Sequence, residues 1–125
     1  MEGKDELEIV IENVMEDEPD MLADLIRELH HPQIKACLDI GHAACASDVP
    51  LQKWIDTLAP CLGHFHIHEN HGHRDEHLAL GTCGKDLSPL FQSINDICEE
   101  GTTLTIESHD SLTSARWLTR HGLIE

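Results

Sequence analysis

The chain has 125 residues, 40% of them apolar, which is enough for one domain with one core, and its formal charge at neutral pH is −16. That charge disfavours a nucleic-acid backbone as partner, because such a partner needs clustered Lys and Arg, whereas abundant carboxylates and imidazoles suit a divalent cation. No run approaches the ~18 consecutive apolar residues of a membrane span, the charged start MEGKDELE is no signal peptide, and five cysteines without a C-x-x-C pair fit reduced thiols and a cytoplasmic location.

EIVIENV (8–14) is β-branched and reads as a first strand, followed by the turn signal EDEPD. MLADLIRELHH (21–31) then places Leu22, Leu25, Ile26 and Leu29 on one face of a helix. KACLDI (35–40) is a second short strand ended by Gly41, and a helix is expected from Leu51 to Ala59, with Pro50 where a first turn tolerates proline. LGHFHIH (62–68) is the third strand, and a long polar, glycine-bearing loop follows it. DLSPLFQSINDICEE (86–100) shows Leu90, Ile94 and Ile97 on one helical face and stops at Gly101. TTLTIES (102–108) is the fourth strand, and SLTSARWLTRHG forms a closing helix whose Leu112, Trp117 and Leu118 are expected to cover the sheet. Trp54 and Trp117 read as packing residues. Strands alternating with helices predict an α/β fold of four consecutive parallel βα units.

The alternation of side chains along each strand carries the functional signal. Val10 and Glu12 share one face of the first strand, Cys37 and Asp39 one face of the second, His64, His66 and His68 one face of the third, and Thr103, Thr105 and Glu107 one face of the fourth. Each opposite face is mainly apolar. Glu12, Asp39, His66 and Glu107 all fall at or near the C-terminal end of their strand, the edge where α/β folds build their sites. Two Glu, one Asp and one His converging there form a reasonable shell for a divalent metal such as Mn²⁺, Mg²⁺, Co²⁺ or Zn²⁺. Cys37 shares that face and is read as a small buried packing residue.

The order IVIENV, CLDIGHA, HFHIHEN, RDEHLALGTCG and LTIES resembles the xylose-isomerase-like TIM barrels, a superfamily of sugar-phosphate isomerases and epimerases, inosose dehydratases and endonuclease IV. The resemblance covers essentially the whole chain but only the C-terminal half of a TIM (β/α)8 barrel, strands five to eight. It implies that Glu12 is the strand-five glutamate and Glu107 the strand-eight glutamate, each a metal ligand and an acid or base. It further implies Asp39 and His66 as metal ligands, and His42, Asp75 and His77 as substrate contacts or, in the endonuclease branch, holders of additional metal. Gly81 and Gly84 of GTCG match the family's loop before the next helix, while Gly72 stands where epimerases often carry an arginine.

These residue types suit isomerisation or epimerisation of a keto sugar or sugar phosphate. Two carboxylates on opposite sides of the substrate can exchange roles as acid and base, while a divalent cation polarises the carbonyl and stabilises the enediolate. A TIM barrel needs eight strands and typically ~250 residues, so the resemblance implies either a homodimer that completes the barrel or a missing N-terminal half. Other readings remain open at this point. The half-barrel could bind metal without turnover, or act in DNA repair like endonuclease IV, against which the charge works. His73-Arg74-Asp75-Glu76-His77 spells the inverted zincin pattern H-x-x-E-H, which requires a helix over 70–80. Six of the eleven histidines also crowd into 64–77. Of these, His68, His71 and His73 have no family role and are expected to face solvent from a loop, where they could scavenge metal.

Overall fold

The computed structural model describes residues 7–124. Its four strands are β1 (Ile9–Glu12), β2 (Ile34–Asp39), β3 (Leu62–Ile67) and β4 (Thr103–Ile106), paired in that order as one parallel sheet. Among the described residues five α-helices follow the strands, α1 (Asp20–Leu29), α2 (Ile40–Ala46), α3 (Leu51–Leu58), α4 (Ser88–Cys98) and α5 (Ser111–Arg120), with a 3-10 turn at Ala59–Cys61 leading into β3. The result is the expected α/β order of four βα units in half-barrel arrangement.

The helices cover one face of the sheet. Ala36, Leu38, Phe65 and Ile67 project from β2 and β3 into a core that Ile26, Trp54, Ile55, Leu58 and Phe91 complete from the helices. Trp54 and Trp117 are both packing residues, 0% and 8% exposed. The other face is polar: Lys35 pairs with Glu8 at 3.0 Å, and the two ring nitrogens of His64 lie 2.7 and 2.8 Å from the hydroxyls of Thr103 and Thr105. Beyond Ile106, the Glu107 N–H continues the ladder by donating to Ile67 O at 3.0 Å.

The structure departs from the sequence expectations at three places. Gly41 does not simply end β2; it lies in the first turn of α2, whose N-cap is Asp39, its side chain accepting from the His42 N–H at 2.8 Å. With seven residues, IGHAACA, this helix is too short to show an apolar period. Leu25 and Leu29 are 45% and 44% exposed although Leu22 and Ile26 of the same helix are buried. Helix α1 packs on β2 and α3, and β1 is an edge strand, so no further βα unit covers its outer flank. Leu112 is 61% exposed. The buried stripe of α5 runs through Ser114, Trp117 and Leu118, and at ~100° per residue a position two before Ser114 faces away from it.

Leu38→Ala, at a fully buried site, should cost about 2–5 kcal/mol in urea unfolding, whereas Leu112→Ala should change stability by less than about 0.5 kcal/mol.

Candidate metal centre

The parallel register sets the geometry. Asp39 lies opposite His66, and His66 opposite Thr105, so Glu107 follows two residues further along the same face. Glu12 ends β1 on the other side. The ligand atoms of Glu12, Asp39, His66 and Glu107 lie within 4.8 Å of one another. His66 Nδ1 hydrogen-bonds Glu12 Oε2 and stands 3.3 Å from Glu107 Oε1 and 3.8 Å from Asp39 Oδ2. Three carboxylates therefore face one imidazole nitrogen, and Asp39 Oδ2 is buried without a hydrogen-bond partner. Buried anions need compensation, and a donor set of three carboxylates and one imidazole fits a divalent cation.

Asp39 is held from several sides. Asn13, just past β1, accepts the Asp39 N–H at 2.8 Å through Oδ1 and donates from Nδ2 to the Asp39 carbonyl at 3.1 Å, so its side chain extends the β1–β2 ladder. On the carboxylate, Oδ1 receives the His42 N–H and lies 2.7 Å from His68 Nε2.

A second cluster lies beside the first. The 68–87 segment returns to the strand ends through a bridge between Glu69 and Leu78, each donating its N–H to the other's carbonyl, which brings Asp75 and His77 over the sheet edge. His77 adopts φ +54° there. His42 Nδ1 donates to Asn13 O and His77 Nδ1 to Glu107 O, both at 2.8 Å. With those protons placed, each Nε2 is turned inward, 3.2 and 3.1 Å from the two oxygens of Asp75. Backbone-anchored imidazoles presenting Nε2 beside a carboxylate are competent to hold a cation. Together with His68, these groups also fall within 4.8 Å of one another.

All seven site residues expected from the sequence thus lie at one sheet edge, in two adjoining clusters. Three features of the site are not legible in the sequence. His68, expected to face solvent from a loop, is 1% exposed and stacks at 4.0 Å on His77. Its phase with His64 and His66 is the available signal, but the ring is buried only because Gly41 lies beneath it. Asn13 clamps the Asp39 backbone, a contact between segments 26 residues apart that no pattern within the first strand signals. Cys37 is buried as expected, yet it also groups with Glu12 and His66 as a possible ligand set. His71 and His73 are exposed, as expected of the loop. No helix forms over 70–80, which removes the inverted zincin reading.

Electrostatics follow the same geometry. Desolvation, with the Asp39 charge, raises Glu12 above the ordinary carboxylate value against the pull of His66. Desolvation also pushes Asp39 upward, but hydrogen bonds from His68 and the His42 N–H outweigh it and leave this carboxyl lowered. Burial opposes the charged forms of His42 and His77. Their backbone carbonyl partners and the nearby Asp75 and Asp39 carboxylates outweigh it, so both imidazoles are raised. Burial and the carboxylates of Glu12, Asp39 and Glu107 push the Cys37 thiol up to about 12.

Open parallel half-barrels with carboxylate and imidazole groups at the strand ends define a class, and comparisons identify it. The family described as xylose isomerase-like TIM barrel matches residues 2–122, and the chain belongs to that family. An uncharacterized protein of Methanocaldococcus jannaschii is 24% identical over 91 residues, 72% of this chain but 31% of that protein. A Thermus thermophilus protein solved after soaking with ZnCl2 superposes with TM-score 0.65 at 26% identity, covering 90% of this chain and 43% of that one. A D-tagatose 3-epimerase-like protein gives TM-score 0.72 at 23% identity, covering 91% and 46%. The chain therefore spans less than half the length of each of these relatives.

The raised His42 and His77 contribute stability that is fully present below their ordinary 6.5 and is lost as pH rises through the raised values. Raised Glu12 acts in the same direction at lower pH, whereas lowered Asp39 contributes above its ordinary 3.8 and is lost only in acid. Without divalent ions, the urea midpoint should rise between about pH 8 and about pH 6, and His42→Gln should flatten that rise.

Proposed function

We propose that residues 1–125 supply the C-terminal half, strands five to eight, of a divalent-metal-dependent isomerase or epimerase acting on a keto sugar or sugar phosphate. The observation that carries this reading is the convergence of Glu12, Asp39, His66 and Glu107 at the C-terminal sheet edge. Those four residues would hold the cation, which when bound supplies polarisation of a substrate carbonyl. Glu12 and Glu107 come from opposite edge strands and reach His66 from two sides. In this reading they would take a proton beside the carbonyl on one face of a substrate and return one elsewhere, and desolvation raises Glu12 in the direction that favours its proton-carrying form. His42, Asp75 and His77 would contact the substrate from above.

Binding metal without turnover is the second reading. The polar face of the sheet is open, and contributions from the other half of a barrel would come from outside residues 1–125. An endonuclease IV-like role draws on the His42, Asp75 and His77 cluster, but a charge of −16 opposes a DNA partner.

Calorimetric titration with Mn²⁺, Co²⁺ or Zn²⁺ should show uptake by the parent chain. Asp39→Asn should weaken it more than about 100-fold, beyond the usual loss of an outer-sphere partner. Ketose isomerisation by the metal-loaded chain distinguishes the first reading from the second, and absence of any uptake defeats both.

Barrel completion by a homodimer would pair β1 of one copy with β4 of the other. It would cover Ile9, Leu25 and Leu29, which are 50%, 45% and 44% exposed. Since each copy carries −16, sedimentation equilibrium should show association that strengthens with salt as repulsion is screened, and Leu25→Lys should weaken it. A monomer at all salt concentrations would point instead to a separate N-terminal half.

A further inference from the structure

The His68 ring is buried at the meeting point of the two clusters, where Nε2 lies 2.7 Å from Asp39 Oδ1. A carboxylate oxygen accepts, so at this distance Nε2 is the donor of the pair. The same oxygen also accepts the His42 N–H, so Oδ1 has two donors while Oδ2 has none. A carboxylate can bind a cation through one oxygen or two. With Oδ1 occupied twice, Asp39 has only Oδ2 free, and that atom lies 3.6 Å from His42 Nδ1 and 3.8 Å from His66 Nδ1. The ring's other nitrogen, Nδ1, is buried without a hydrogen-bond partner and lies 3.9 Å from Asp75 Oδ1. His68 stacks on His77 with an interplanar angle of 7°. In-plane lone pairs of two parallel rings do not aim at one point, so His68 is not placed to share an ion with His77.

Space for the ring depends on one residue. A Cβ built on Gly41 would lie 1.9 Å from His68 Cε1 and 2.3 and 2.5 Å from its nitrogens, so any side chain at 41 must evict the ring. Gly41 sits in helix α2 directly after Asp39 and Ile40, which ties the carboxylate, the helix start and the ring into one unit.

We infer that His68 is a positioning residue for the cation site, seated over Gly41, where it fixes the Asp39 carboxylate so that Oδ2 alone is presented to the ion. This rests on the metal-binding reading above. The residue matters for affinity because a ligand already oriented need not be ordered when the ion arrives. Gly41 matters through His68, since its own carbonyl is taken by Asn70 Nδ2 at 2.8 Å.

The test is cation affinity of the full chain, measured with Co²⁺ and Zn²⁺ by calorimetry, in an Asp75→Asn background that removes the carboxylate of the second cluster. Far-UV circular dichroism and the metal-free urea midpoint are recorded for each variant. His68→Leu fills the space but cannot donate, and should bind about 10–100-fold more weakly. His68→Gln retains an amide donor and should recover part of that loss, and Gly41→Ala should match His68→Leu although residue 68 is unchanged. A packing role alone would shift the metal-free midpoint and leave the affinity of the folded chain as it was. Parent-like affinity in His68→Leu, or equal weakening in the Leu and Gln variants, overturns the inference while leaving the metal reading intact. If His68→Leu does not fold, Gly41→Ala against His68→Gln decides the matter in the same way. No uptake by the parent chain defeats the metal reading itself, and the positioning role with it.

Discussion

Asp39 is the residue on which strand, helix and site all depend. It ends β2, caps α2 through its carboxylate, and is clamped at both backbone groups by Asn13. A fully buried carboxylate is costly unless its lone pairs are met. Here the His42 N–H and His68 meet one oxygen, and the other is left without a hydrogen bond beside His66, Glu12 and Glu107. Local cap, sheet extension and candidate ligand are therefore one arrangement of atoms, and disturbing any of them disturbs the others.

The sheet's two faces show how the chain accommodates an open half-barrel. Full barrels fill their interior with layers of branched apolar side chains. This one instead lines its inner face with an ion pair of Glu8 and Lys35, with His64 between Thr103 and Thr105, and with the acidic cluster above them. A face built from such groups is compatible with water and with the polar site above it. The edges differ. Ile9 on the edge strand β1 and Leu25 and Leu29 on α1 are exposed, and an open edge strand is the kind of surface that pairing with a further βα unit removes.

The two clusters share walls. His42 caps against Asp39 with its backbone while its ring reaches Asp75, and Glu107 offers its carboxylate to the first group and its carbonyl to His77 in the second. His68 touches both. A charge added to or withdrawn from one cluster therefore acts on the other across a few ångströms, a separation at which Coulombic coupling persists even in a partly solvated site.

By itself the sequence determined the order of four βα units and the parity of their strands, because alternation of side chains is a local property of extended backbone. Parity alone placed Glu12, Asp39, His66 and Glu107 on one face near one edge, and the family resemblance extended the set to His42, Asp75 and His77. Tertiary structure alone decided the fate of His68, since its burial depends on a missing Cβ at Gly41, twenty-seven positions earlier. It also decided the clamp by Asn13, the seven-residue helix α2 after Asp39, and the exposure of Leu25, Leu29 and Leu112. Each of these is fixed by which element lies alongside, a contact between segments distant in sequence that no periodicity within one segment encodes.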